Sequence, residues 1–292
     1  MSTVQPQFPI FIPTLSRWDS RLTIKALQRM GIERWYAIVE PQEVEQYASV
    51  IPREHILPLD MSYKERYECL DNVGLAKSPG PGPARNFAWD QSLAMGHPWH
   101  WVMDDNIFRF LRMNANLRYE VLSGAFFRVM EDFCLRYENV AMAGPNYEMF
   151  VPRKVKHPPL IFNTRIYSCN LIRNDVPFRW RGRYNEDTIL SLDMLTSGWC
   201  TVQFNAYQQK KATTQTVKGG NDKVFYSLEG TGPKSQMLVD EYPEHARLVH
   251  KFGRTHHHVD YTTFKANRLI RKKDAVIPTE PNEYGMTLVP VK

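Results

Sequence analysis

The 292-residue sequence predicts an α/β fold with a Rossmann-like, mostly parallel sheet flanked by helices. Two observations carry this. Over residues 8–59, short apolar runs alternate with helical spacing in the order β-α-β-α-β, which requires right-handed crossovers and a parallel sheet. Further on, the run Trp99-His100-Trp101-Val102-Met103 reads as a buried strand that ends in Asp104-Asp105-Asn106. Ligands of open α/β sheets bind beyond the carboxyl ends of the strands, where paired carboxylates suit a divalent cation. Asp-Asp-Asn is also ordinary turn chemistry.

In chain order, Phe8-Pro9-Ile10-Phe11-Ile12 is a first strand stopped by Pro13-Thr14. Leu22, Ile24, Leu27 and Met30 give residues 16–30 helical spacing, and Gly31 is a natural stop. Trp35–Val39 is a second strand ending at Glu40, a short helix follows from Glu43, and His55–Leu59 is a weaker third strand. The Pro- and Gly-rich run Lys77–Pro83 excludes helix and sheet. A helix then leads from Ala84 to about Met95. Helical spacing returns over Tyr119–Arg136, a strand follows at Val140–Gly144, and alternation over Leu160–Ile172 predicts an extended stretch with one polar face. Asn185 is placed to cap a helix over Thr188–Ser197, and Cys200–Phe204 is the next strand. Lys218–Asn221 and Glu229–Gly232 read as mobile loops, and Glu244–Lys251 as a short helix.

Hydrophobic residues make up 43% of the chain, enough for a sizeable core, yet no apolar run approaches the ~20 residues of a membrane span. The first thirty residues carry charge where a secretory signal needs an apolar core, so a cytoplasmic protein without membrane association is expected. Cys69, Cys134, Cys169 and Cys200 form no C-x-x-C pair, which argues against a zinc knuckle or a disulfide framework and leaves them as small buried hydrophobes. Thirty-seven Lys and Arg against thirty-one Asp and Glu give a net charge of +6 and a pI near 9.0. That balance favours an anionic partner, whether nucleotide, phosphorylated metabolite or nucleic acid.

Pro13-Thr14 with Arg17 behind it, Glu40, Ala84-Arg85-Asn86, Met103-Asp104-Asp105-Asn106 and Glu186-Asp187 follow one another in an order that resembles the GT-A glycosyltransferases. The likeness implies a GT-A fold in a single catalytic domain over residues 1–275, with a nucleotide-binding half at 8–110, an acceptor-binding half at 111–275 and a tail at 276–292. It implies a UDP-sugar donor bound by Thr14, Arg17, Glu40, Arg85 and Asp104, with Lys218 and Arg254 clamping the diphosphate. It also implies Mn²⁺ or Mg²⁺ where the family carries its D-x-D motif, neutralising the diphosphate as it leaves. Either Asp105 is the direct ligand and Asp104 faces the ribose, or Asp104 and Asn106 share the role; the first is preferred. Many members add a late histidine ligand. In an extended segment His256 and His258 share one face and His257 takes the other, with His256 the first candidate.

Glu186-Asp187 resembles the E-D motif of inverting members, in which one carboxylate takes the acceptor's proton; Asp187 is the expected base, with Glu186 beside it. Acid in a first helical turn also complements the helix dipole whatever the function. Tyr184-Asn185-Glu186-Asp187, Lys218-Gly219-Gly220 and Gly253-Arg254-Thr255-His256-His257 are together similar to the TET-associated glycosyltransferases, phage-type enzymes that sugar-modify 5-hydroxymethylcytosine in DNA. That likeness implies double-stranded DNA as acceptor and the host cytoplasm as the working compartment. Arg153, Lys154, Lys156, Arg179, Arg181 and Arg183 would then neutralise phosphates, while Trp180 and Tyr184 stack on a flipped base. The alternatives are a saccharide or protein acceptor, a nucleotidyltransferase, and a non-catalytic DNA-binding module.

Overall fold

The computed structural model describes residues 4–71, 73, 77–153, 156–212, 232–251, 253–276 and 279–281. The first elements follow the sequence reading: β1 (Ile10–Pro13), α1 (Leu22–Arg29), β2 (Trp35–Val39), α2 (Val44–Ala48) and β3 (Ile56–Pro58). A short α3 (Ser62–Glu65), α4 (Gly82–Ala94) and β4 (Trp99–Met103) come next. The chain continues through β5 (Ile107–Asn114), β6 (Leu117–Glu120), α5 (Ala125–Leu135), β7 (Val140–Tyr147), β8 (Leu160–Phe162), β9 (Cys169–Arg173), α6 (Glu186–Thr196) and β10 (Cys200–Lys211). α7 (Gly232–Glu241), β11 (Ala246–Lys251) and β12 (Arg254–Val259) close the ordered list of elements.

Among the described residues ten strands form one sheet in the order β3-β2-β1-β4-β9-β7-β10-β5-β6, with β8 also paired to β10. β3, β2, β1 and β4 run parallel. β9 turns antiparallel against β4, and the sheet is mixed from there on. Alternation explains why the parallel strands are apolar throughout: Ile10, Ile12, Trp35, Ala37, Val39, Trp101 and Met103 enter one core layer, and Phe11, Ile38 and Val102 the other. The architecture is thus the expected α/β, GT-A-like arrangement of a large sheet flanked by helices. Its functional consequence lies at β1, where the chain builds β2 and β3 on one side and then returns to place β4 on the other. The carboxyl ends of β1 and β4 therefore border a crevice at a topological switch point.

Four expectations are corrected. The helix expected from Ser16 starts at Leu22, because Ser16 and Arg21 hold left-handed backbone conformations (φ 54° and 44°) in the turn before it. Tyr119 and Glu120 belong to β6 rather than to a helix, and α5 starts only at Ala125. The strand at Cys200 does not stop at Phe204 but runs to Lys211, since β5 and β7 flank it and satisfy its backbone. Glu244–Lys251 is no helix: Ala246–Lys251 pairs with Arg254–Val259 as an antiparallel ribbon. The stretches expected as mobile loops fall mostly in 213–231, and most of the tail falls in 282–292, outside the described residues.

Candidate active site

The turns after β1 and β4 are tied together at the switch point. Thr14 Oγ1 donates to Asp105 Oδ2 at 2.9 Å and bonds Tyr47 Oη at 2.7 Å, and Arg17 Nη1 pairs with Asp105 Oδ1. Thr23, in the first turn of α1, fixes the acidic turn from behind. Its Oγ1 donates to the Asp104 carbonyl at 2.6 Å, its N–H to the Asp105 carbonyl at 3.3 Å, and its Oγ1 accepts the Ile107 N–H at 2.9 Å. Burial raises the Asp105 pKa, outweighing the Arg17 charge and the Thr14 hydroxyl. Asp104 goes the other way. Burial alone would raise it, but the Lys211 ammonium at 2.9 Å and the Arg85 guanidinium at 2.8 Å hold it well below the usual carboxylate range.

Arg85, on α4, is the hub. Its guanidinium meets Asp104 with Nη2 and, with Nη1, Glu186 Oε1 at 3.1 Å and Asp187 Oδ1 at 2.9 Å. The Trp180 ring lies beneath it, 4.6 Å from the guanidinium carbon, and only 4% of the arginine side chain is exposed. A buried cation with three carboxylate partners is compensated, and removing it would leave uncompensated buried charge at a cost of about 3–5 kcal/mol. Glu186 and Asp187 reach it because Asn185 takes a left-handed conformation (φ 58°) that turns the chain into α6. Burial, opposed by Arg85, pushes Glu186 up to about 7 and raises Asp187 as well. Asn170 Nδ2 approaches Asp187 Oδ1 at 3.5 Å, while Oδ2 receives no hydrogen bond from the described residues.

These groups line a cavity of about 410 Å³. Of the residues expected from the sequence, Thr14, Arg17, Glu40, Arg85, Asp104, Asp105, Tyr184, Glu186 and Asp187 all line it. Glu40 is engaged by Lys64 there. Sequence reasoning missed Lys64, Arg165, Tyr167, Ser168, Lys211 and Lys234, which share the lining. Lys211 was hidden because its strand was expected to end seven residues earlier; it also donates to Ser168 Oγ at 2.7 Å. Counting side chains, the lining holds Arg17, Lys64, Arg85, Arg165, Arg183, Lys211 and Lys234 against Glu40, Asp104, Asp105, Glu186 and Asp187. With Arg183 turned to Asp71, six cations face five carboxylates, a small excess of positive charge.

Several expected roles are not supported by position. Trp180 is 1% exposed and cannot stack on a base. Arg183 is buried, with its guanidinium on Asp71 at 2.5 and 3.0 Å and on the carbonyls of Lys77 and Ser78, so it holds a loop rather than a phosphate. Arg181 is clamped between Asp193 at 2.7 Å and Glu241 at 2.5 Å. Arg179 lies over the Trp89 ring, away from the cavity lining. Arg85, expected to bind the nucleotide, lines the cavity and directs its guanidinium to the three carboxylates. Arg254 and His256 are on β12 and do not line the cavity; the histidine that feels the cavity cations Arg165 and Lys234 is His257, held down to about 4 by burial and by that charge. Arg153 and Lys156 are exposed, whereas Lys154 and Lys218 lie outside the described residues.

Asp104 and Asp105, expected to hold a divalent cation, are both engaged by the chain's own groups, while Asn106 Oδ1 in the same turn is buried with no partner among the described residues. All four carboxylate oxygens of Asp104 and Asp105 already face a donor: Arg85, Lys211, Arg17 and Thr14. Three of those donors are cations that a metal would have to displace, and His257 brings no negative charge to help. Among the described residues no group of three or more His, Cys, Asp and Glu side chains converges to hold an ion.

The geometry is that of a cation-lined pocket at a strand switch point with a carboxylate pair on its wall, suited to a phosphorylated donor and an acceptor hydroxyl. A comparison with curated proteins finds no match. A family model of TET-associated glycosyltransferases matches residues 8–220, well over half the chain and every carboxylate of the pocket, and the chain belongs to that glycosyltransferase family.

Proposed function

We propose that the enzyme moves a sugar from a UDP-sugar to the hydroxymethyl oxygen of 5-hydroxymethylcytosine in double-stranded DNA, with inversion at the anomeric carbon, in the host cytoplasm. The observation that carries this reading is the Arg85 clasp. It sets Asp187 in the lining of a pocket that also carries Lys211, Arg17 and Lys64. In the reaction the acceptor oxygen bonds to the anomeric carbon as the carbon–oxygen bond to the diphosphate breaks and its electron pair leaves on UDP. The acceptor proton passes to Asp187 Oδ2. Lys211 has three N–H donors and spends two on Asp104 and Ser168, which supports the third turning to the diphosphate. The chain's own cations thus offset the leaving-group charge, and no step is routed through a metal. The family assignment as a glycosyltransferase leaves the nucleotidyltransferase and the non-catalytic module behind. The acceptor rests on the family likeness and on the net charge of +6.

A panel of UDP-sugars incubated with a 5-hydroxymethylcytosine duplex or its cytosine counterpart tests the reading, scoring UDP and sugar-modified base. Transfer is expected on the modified duplex alone and is expected to persist in chelator. Equal UDP release on both duplexes would remove the DNA acceptor. Activity lost in chelator and regained with Mn²⁺ would reinstate the metal.

A further inference from the structure

The β11–β12 ribbon stands outside the main sheet, and its two faces differ. Pairing places Arg247 opposite His258, Val249 opposite His256 and Lys251 opposite Arg254 on one face. Arg247, Lys251, Arg254 and His258 are exposed, and neither strand contains an acidic residue. Ala246 and Val259, on the other face, enter a small core with Leu238 of α7, with Tyr242 just after that helix, and with Ile189, Leu192 and Leu195 of α6. The ribbon is therefore bolted to the helix that begins with Glu186 and Asp187. No residue of β12 lines the cavity, but two residues that do line it lie within electrostatic reach of the strand: Lys234 of Arg254 and His257, and Arg165 of His257.

Like charges set directly opposite across a ribbon destabilise it, so a face that pairs Lys251 with Arg254 is costly unless an anion lies over it. Asp260, just past β12, feels His258 and Arg247 and has its Oδ1 on the Thr262 N–H at 2.9 Å and hydroxyl at 2.6 Å, so one carboxylate stands against the four exposed basic residues of this face. We propose that this outward face docks the DNA duplex, with Arg247, Lys251 and Arg254 on backbone phosphates that flank the nucleotide entering the cavity. The inference rests on the DNA-acceptor reading and replaces the Arg181–Arg183 stretch, which the fold consumes internally. Phosphate contacts of this kind set position and carry no sequence preference.

Binding of the full chain to a 5-hydroxymethylcytosine duplex and to a cytosine duplex, followed by fluorescence anisotropy across a salt series, tests the surface separately from the chemistry. Arg247→Ala with Lys251→Ala should weaken binding to both duplexes by about tenfold or more at low salt and flatten the log–log salt slope by about 1.8, two phosphates' worth. UDP binding should not change. Arg247→Lys with Lys251→Arg should restore binding, and Arg53→Ala with Arg128→Ala, cations paired with Glu45 and Asp132, should leave it intact. Wild-type affinity and slope in the ribbon double variant would overturn the proposal, as would failure of the chain to bind either duplex. Ribbon-dependent binding with no sugar transfer would uphold the surface and sink the glycosylation reading.

Discussion

At the scale of single residues the decisive arrangement is two adjacent carboxylates with different surroundings. Burial raises the Glu186 pKa against the pull of Arg85, whereas Asp187 keeps one oxygen on Arg85. Asp187→Asn should lower kcat by ~10²–10⁴-fold with little change in UDP affinity, because the amide keeps the shape and loses the proton acceptor. Burial raises the Asp187 pKa, so wild-type kcat/KM should climb with pH on a limb above the ordinary carboxylate range. The limb should vanish in the variant. An unchanged limb in Asp187→Asn would hand the base role to another group. The pair was legible in the sequence as neighbours; that Arg85 serves them was not, since 101 and 102 residues separate it from its partners.

At the scale of elements, β10 shows how a polar strand escapes notice. Gln203, Asn205, Gln208 and Gln209 are buried, although a run of such residues reads as loop. Their amide nitrogens find acceptors inside the fold: Gln208 Nε2 donates to the Asn205 carbonyl at 2.9 Å and Gln209 Nε2 to the Tyr167 carbonyl at 3.0 Å, while Gln209 Oε1 has no partner among the described residues. The strand thereby carries Lys211 to Asp104. Its neighbour β7 depends on Gly144, where an added Cβ would meet the Cys169 carbonyl oxygen at 2.2 Å and Ile166 at 2.8 Å. Cys169 follows Ser168, whose carbonyl accepts the Asp104 N–H at 2.7 Å and whose hydroxyl accepts from Lys211. Gly144→Ala should therefore cost about 1–3 kcal/mol in chemical denaturation and also impair turnover, since relief must come from backbone beside the site. Gly232→Ala, with no atom of the described residues within 4 Å, should do neither. Equal stability of the two variants would show that β7 and β9 have more room than this packing allows.

Across the whole molecule, Glu131 joins three distant parts. From α5 it accepts the N–H groups of Gln7 at 2.7 Å and Phe8 at 3.2 Å and the Trp101 indole at 2.8 Å, tying the entry to β1 and the centre of β4 to one carboxyl. Burial pushes its pKa up from 4.5 to about 7, against those donors. The folded value lies above the unfolded one, so the stability linked to its proton is full below about 4.5 and is lost as the pH rises through about 7. Urea unfolding across pH 4–8 should show wild type losing stability relative to Glu131→Gln over that interval. Parallel stability profiles would mean that the carboxyl titrates normally.

The sequence by itself determined the buried parallel strands, their order, the Asp104-Asp105 turn at a strand end and the Glu186-Asp187 pair at a helix start. Each of these is written in neighbours: period-two burial, a carboxylate where apolar residues stop, acid in a first helical turn. Only the tertiary structure decided that Trp180, Arg181 and Arg183 face inward, that residues 246–251 pair as a strand, and that Lys211 closes on Asp104. A strand is stabilised by partners that local sequence does not name, and a basic side chain is a phosphate ligand or an internal tie according to which carboxylate folding brings beside it.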